Sequence, residues 1–156
     1  MNLSPHFTLD ELTVTDHREF DNSPTQEEIS NLQRLAQLLE QVKEAIGGKP
    51  VMINSAFRSK QVNDAVGSSD KSQHRKGCAA DFRVPGVTPD EVVRAVIAAG
   101  LPFDQIIVNL TVGRISAFQI LKMQNQEGLR LSLTKQALDL SLDSWENELC
   151  PYKKLS

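Results

Sequence analysis

The sequence predicts an α+β fold, a small antiparallel sheet with helices packed against it. Three observations point there. Two segments carry helix-start punctuation followed by apolar residues at three- and four-residue steps. Short apolar runs of strand length stand apart from them, next to glycine and proline. At 156 residues the chain is about one domain long and buries a core without disulfide or metal staples.

The elements follow in order. Asn2 to Asn22 is mixed and polar, with Phe7, Leu9 and Leu12 able to pack a short turn or helix. Ser23-Pro24 opens the clearest helix: Ser23 is the expected N-cap, Pro24 sits where helices tolerate it, and Glu27 and Glu28 place negative charge in the first turn. Ile29, Leu32, Leu35, Ala36, Leu39, Val42 and Ile46 form one stripe, so the helix is expected over Thr25 to Ile46, closed by Gly47-Gly48. Pro50 to Asn54, with Val51, Met52 and Ile53, is a short strand, Gln61 to Val66 a short helix, Gly67 to Gly77 a polar loop and Ala79 to Val84 a second strand. Thr88-Pro89-Asp90-Glu91 starts another helix with Val92, Val93, Val96 and Ile97 on its apolar face, and Gly100 closes it. Phe103 to Val108 is strand-like. Beyond Val108 the chain is rich in leucine and poor in boundaries: Ile115, Phe118 and Leu121 to Met123 suit a helix, while Leu129, Leu131 and Leu133 alternate like a strand.

Composition excludes several classes. A net charge of -3 makes no electrostatic case for nucleic acid. No apolar run approaches the roughly 18 residues of a membrane span. The N-terminus shows no basic region followed by an apolar stretch, so a cytoplasmic product is expected, reaching the outside only if released. Cys78 and Cys150 fit no CxxC pattern and read as reduced thiols. Cys78 is expected to be a small buried filler rather than a nucleophile. A monomer is expected.

Chemistry gathers in three neighbouring stretches: Ser55-Ala56-Phe57-Arg58-Ser59, Ser72-Gln73-His74 and Gly77-Cys78-Ala79-Ala80-Asp81. Imidazole nitrogen and carboxylate oxygen are both zinc ligands. His74 and Asp81 are seven apart, and Gly77 between them permits the turn that would face both at one point. On spacing alone such a pair is more often a surface pair than a metal site. Lys71, Arg75 and Lys76 read as a solvated basic face, and His6 and His17 carry no motif.

The order of the pieces adds to this. Ser-x-x-Arg-Ser, a helix, then Ser-x-His-x-x-Gly-x-Ala-x-Asp resembles the zinc D-Ala-D-Ala carboxypeptidase family, whose fold is shared with the Hedgehog signalling domain. Val62-Asn63 and Ala65-Val66-Gly67 resemble the family's stretch between arginine and histidine, the opening Asn2 to Leu12 and Asn31-Leu32-Gln33-Arg34-Leu35 resemble the small phage-type members, and Phe103 to Ile107 resembles the strand that leads to the last active-site motif, so the likeness covers roughly residues 1–108. The resemblance implies that His74 and Asp81 are the first two zinc ligands and that Arg58 is a catalytic residue that contacts substrate and stabilises the oxyanion. It implies that Ser72 contacts substrate, that the cofactor is Zn2+ and that the partner is a peptidoglycan stem peptide. The implied reaction is hydrolysis of a D-Ala-D-Ala or related bond, as carboxypeptidase or endopeptidase. A phage-type protein of this kind would reach the cell wall during lysis.

The pattern then breaks. The family takes its third ligand and general base from a Glu-x-x-Trp-x-His motif or close variant, yet the histidines here are His6, His17 and His74 alone, and none follows Asp81. Asn109 stands where the base is expected, and Trp145 has no histidine two residues on. A shifted reading frame accounts for this. Restoring one G before the codons of Asn109 to Gly113 permits Glu-Phe-Asp-Arg-Trp (for example GAA TTT GAC CGT TGG), and the codons of Arg114 to Ala117 continue with a small residue and then His-Ile-Ser. The chain therefore divides into a matching part, 1–108, and a divergent out-of-frame tail, 109–156. Asp104, Asp139, Asp143, Glu146, Glu148 and Cys150 are the other candidates for a missing ligand, none with motif support. Two further readings stand beside the enzyme: a non-catalytic remnant that binds wall peptide, and a structural clamp made by His74 and Asp81.

Overall fold

The computed structural model describes residues 1–103, 105–109, 114–119 and 130–133. Among the described residues, four α-helices, α1 (Leu9–Leu12), α2 (Gln26–Ala45), α3 (Lys60–Ala65) and α4 (Pro89–Ala98), accompany five strands: β1 (Met52–Ser55), β2 (Ala79–Arg83), β3 (Gln105–Asn109), β4 (Arg114–Gln119) and β5 (Arg130–Leu133). The strands form one sheet in the order β1-β2-β4-β3-β5. The first four are joined antiparallel, and β5 adds to β3 in parallel. The fold is α+β, as the sequence predicts.

The long helix begins later than its first punctuation suggests. Thr25 is the N-cap, in a capping box with Glu28: the Thr25 amide donates to Oε2 of Glu28 at 2.7 Å, and Thr25 Oγ1 accepts from the Glu28 amide at 3.4 Å. Ser23 is otherwise engaged, its hydroxyl donating to Asp21 Oδ1 at 2.6 Å. Leu32, Leu35, Ala36, Leu39 and Val42 of α2 are fully buried. They join Ala80, Phe82 and Val84, Val92, Val93 and Val96 of α4, and Phe57, Phe103, Ile106 and Val108 in one core, with Leu3, Phe7 and Leu12 closing one end. The expectation of a helix through Ile115 and Phe118 is corrected: both lie on β4, between β2 and β3. A three-residue step fits one helical turn and, equally, two faces of a strand. Leu131 and Leu133 lie on β5, as their alternation predicts.

The ladder is irregular around one residue. Between Phe82 and Asp81 the β1–β2 register shifts, with Ile53 and Ser55 as partners. Between Ala80 and Phe82 the β2–β4 register shifts again. Asp81 therefore sits at a break in both ladders. Breaks of this kind bend a strand and re-aim a side chain.

Candidate metal centre

Two loops meet above β2. The first runs from the end of β1 into α3 and carries Ser55 to Ser59. The second is a 3-10 turn, Gln73–Lys76, that carries His74 and ends on Gly77. Ser72 caps this turn, its Oγ accepting from the His74 amide at 3.3 Å. Gly77 adopts the left-handed conformation at φ 67, and a Cβ there would lie 2.9 Å from Leu32 Cγ and 3.0 Å from the Glu28 carbonyl oxygen. The turn is thereby pressed against α2, where Asn31 Nδ2 also donates to the Lys76 carbonyl at 2.9 Å.

His74 is buried, at 4% exposure. Its Nδ1 lies 2.6 Å from the Ala56 carbonyl oxygen. A carbonyl only accepts, so in the neutral ring Nδ1 carries the proton and Nε2 presents its lone pair. Nε2 lies 3.4 Å from Asp81 Oδ1. Arg58 Nη2 donates to the other carboxylate oxygen, Oδ2, at 3.0 Å, and Arg58 Nε donates to Ser55 Oγ at 3.0 Å. The Arg58 and Asp81 side chains are 15% and 23% exposed, so the pair is largely shielded yet reachable from outside.

The distance between Nε2 and Oδ1 can be set against two arrangements. A hydrogen bond between nitrogen and oxygen is about 2.7–3.2 Å long. Two donors at ~2.0–2.2 Å from a tetrahedral zinc ion stand about 3.4 Å apart. At 3.4 Å the pair is longer than a usual hydrogen bond, lies within ion-pair range and equally has the spacing of two donors on a tetrahedral zinc, and the donor types suit zinc. Among the described residues no group of three His, Cys, Asp or Glu side chains could hold a metal. Asp104, Asp139, Asp143, Glu146, Glu148 and Cys150 lie outside the described residues.

The structure thus brings together Arg58, His74 and Asp81, and places Ser72 two residues before His74 with its hydroxyl engaged in capping. Two readings need correction. Cys78 is half-buried rather than a buried filler, with its Sγ 3.5 Å from the Lys76 carbonyl oxygen. Arg75 is not simply part of a solvated basic face: its Nη1 donates to the Arg58 carbonyl at 3.2 Å. Sequence reasoning gave no role to Asn22, nor to Asn63 beyond its place in a family-like stretch. Asn63 is fully buried and ties the loop before Ser72, its Nδ2 donating to the carbonyls of Ser68 and Ser69 at 3.1 Å each. Neither stands in a chemical motif, and both act on residues that only the fold brings near.

Comparison with known proteins adds the class. Residues 5–111 match the peptidase M15 family, so the site belongs to a peptidase framework. The chain is a member of the peptidase M15 family, whose peptidases are zinc-dependent and act on peptidoglycan peptides. A search of curated proteins found no match.

Proposed function

We propose that this chain derives from a zinc-dependent D,D-peptidase, carboxypeptidase or endopeptidase, that acts on peptidoglycan stem peptides. The observation that carries the reading is the 3.4 Å approach of His74 Nε2 to Asp81 Oδ1, with Nδ1 held by the Ala56 carbonyl. His74 and Asp81 are the residues that would hold zinc, which when bound supplies a Lewis acid for the scissile carbonyl and an acidified water. Ala56 keeps the His74 lone pair on the site side of the ring. Arg58, fixed by Ser55 and Asp81, sets a permanent positive charge beside the carboxylate, suited to a developing oxyanion or a substrate carboxylate. Ser72 contributes by holding the turn that presents His74, and the family resemblance adds contact with substrate.

The chain as written has two of the three ligands that a catalytic zinc site uses, and on this reading it is impaired. The tail from residue 109 onward is out of frame. The family match ends at residue 111, next to the point where one restored base yields Glu-Phe-Asp-Arg-Trp-x-His-Ile-Ser. The histidine of that string falls at position 115, on β4, the strand next to β2. Its direct partner is Phe82, which is buried in the core, and directly paired residues face the same side of a sheet. To join Asp81, the next residue along β2, the histidine relies on the register shift between Ala80 and Phe82 to re-aim it. DNA across codons 106–116 tests the frame: no single-base insertion that restores the motif means the idea is wrong. A protein of this kind acts on the wall after release, as in phage lysis.

The test of function is the zinc content of the purified chain after dialysis against trace zinc, joined to release of D-Ala from a D-Ala-D-Ala peptide with and without added zinc. No retained zinc and no release, with the protein folded, identify a remnant that at most binds wall peptide. One zinc held per chain, with release, means that a third ligand is present in the chain as written and that the enzyme is intact.

A further inference from the structure

Asn22 lies in the coil between α1 and α2, and its side-chain amide reaches the loop that carries Arg58. Nδ2 donates to the Phe57 carbonyl at 3.2 Å and to the Thr13 carbonyl at 2.8 Å, and Oδ1 accepts from the Ser59 amide at 2.7 Å. Both N–H donors and the carbonyl of the amide are thus engaged, with geometry available to no other side chain of that length. The peptide groups it touches are the two on either side of Arg58. Their remaining ends are also taken: the Arg58 amide donates to the His74 carbonyl at 3.1 Å, and the Arg58 carbonyl accepts from Arg75 Nη1 at 3.2 Å. Arg58 is therefore flanked by two fully bonded peptide units, and Asn22 closes one end of each, as a neighbouring strand would. The Phe57 amide adds a tie to the same N-terminal segment, donating to the Leu12 carbonyl at 2.8 Å.

We propose that Asn22 is a positioning residue, which fixes the backbone of Arg58 so that its guanidinium leaves the loop toward Ser55 and Asp81. Its importance for the reaction rests on the reading of Arg58 as the substrate-contacting cation. The geometric claim does not. An extended loop can aim a long, flexible side chain only if its own torsions are held, and a guanidinium with rigid anchors loses less entropy on binding. The N-terminal segment thereby does more than cover the core: it sets the aim of a site residue 36 positions later.

The test uses the 15N-labelled full chain. The Arg58 Nε–H resonance is identified by its disappearance in Arg58→Lys, and its hydrogen exchange is compared in wild type, Asn22→Ala, Asn22→Asp and Val42→Ala. Val42→Ala opens the buried core at α2, leaves the hydrogen bonds of Asn22 untouched and controls for lowered stability as such. In Asn22→Ala, exchange at Arg58 Nε is expected to rise roughly tenfold, as for loss of one to two hydrogen bonds, and to exceed the rise in Val42→Ala. Should Asn22→Ala not fold, Asn22→Asp is decisive. It keeps the acceptor for the Ser59 amide and turns a carboxylate toward two carbonyl oxygens, so the Ser59 amide stays protected while Arg58 Nε exchanges faster. Exchange at Arg58 Nε that matches wild type in either variant, or rises no more than in Val42→Ala, overturns the proposal. Neither substrate nor metal enters these measurements, so absence of peptidase activity leaves the result interpretable.

Discussion

At Gly77 two separate constraints meet, and they can be measured apart. Its backbone is left-handed, and a Cβ would strike Leu32 Cγ and the Glu28 carbonyl of α2. Gly86 has the same hand, φ 75, but nothing within 4 Å of a Cβ. Gly86→Ala should therefore cost about 1 kcal/mol, the torsional penalty alone. Gly77→Ala should cost at least about 2–3 kcal/mol, because backbone cannot yield as a flexible side chain does. Urea denaturation of both variants decides it, and equal losses would remove the packing argument. His74 supports a second prediction. Because Nδ1 faces the Ala56 carbonyl, the neutral ring should hold its proton on Nδ1, read directly from the two ring 15N shifts. A proton on Nε2 would remove the lone pair that the metal reading needs. The sequence itself contained Gly77, His74 and Asp81 in legible form, since a turn glycine between two ligand types is a local pattern. Asn22 was not legible: its partners lie 9, 35 and 37 residues away and are all backbone atoms, which no side-chain motif encodes.

Elements follow the same division between local and distant causes. The starts of α2 and α4 are capping boxes built within four residues, Thr25 with Glu28 and Thr88 with Glu91, and sequence reading finds such signals. It misplaced the first cap by two residues because Ser23, an equally good cap by type, is held by Asp21. The tie between the N-terminal segment and α2 depends on distance in the chain and left no signature. Glu40 accepts from Ser4 Oγ at 2.7 Å and from the His6 amide at 2.7 Å, and its second oxygen lies 2.8 Å from His6 Nδ1. Burial alone would raise the Glu40 carboxyl, but the hydrogen bonds from Ser4 and His6 outweigh it and hold the group below its usual value of 4.5. A carboxyl with a lowered folded-state pKa contributes stability that is full above the unfolded value and is lost as pH falls through the folded one. Glu40→Gln should therefore destabilise the protein by about 1–2 kcal/mol near neutral pH. The gap to wild type should shrink as pH drops below 4.5. Denaturation midpoints of the two proteins across that range check it, and a gap that stays constant in acid would assign the loss to shape rather than charge.

For the whole molecule, the decisive fact is where β4 runs. The sheet order β1-β2-β4-β3-β5 makes β4 the neighbour of β2, which carries Asp81, and positions 114–119 supply it. Those positions lie past residue 111, where the family match ends, and carry no histidine. Local reading gave that segment helical character, since the register with β2 and β3 is irregular and no strict alternation marks it. On the proposed reading, Asp81 on β2 has β4 as its neighbour, and a definite comparison follows. The chain with one G restored before codon 109 would place a glutamate at the end of β3 and a histidine at position 115. Three ligands close a catalytic zinc site, whereas two hold the ion weakly. The restored chain should keep one zinc through dialysis and release D-Ala from a D-Ala-D-Ala peptide, and the chain as written should do neither. His74→Ala in the restored chain should abolish both, which ties the gain to this site rather than to a new one in the replaced tail. If the restored chain folds and still retains no zinc, the shifted-frame reading is wrong, and the incomplete ligand set is a property of the protein itself.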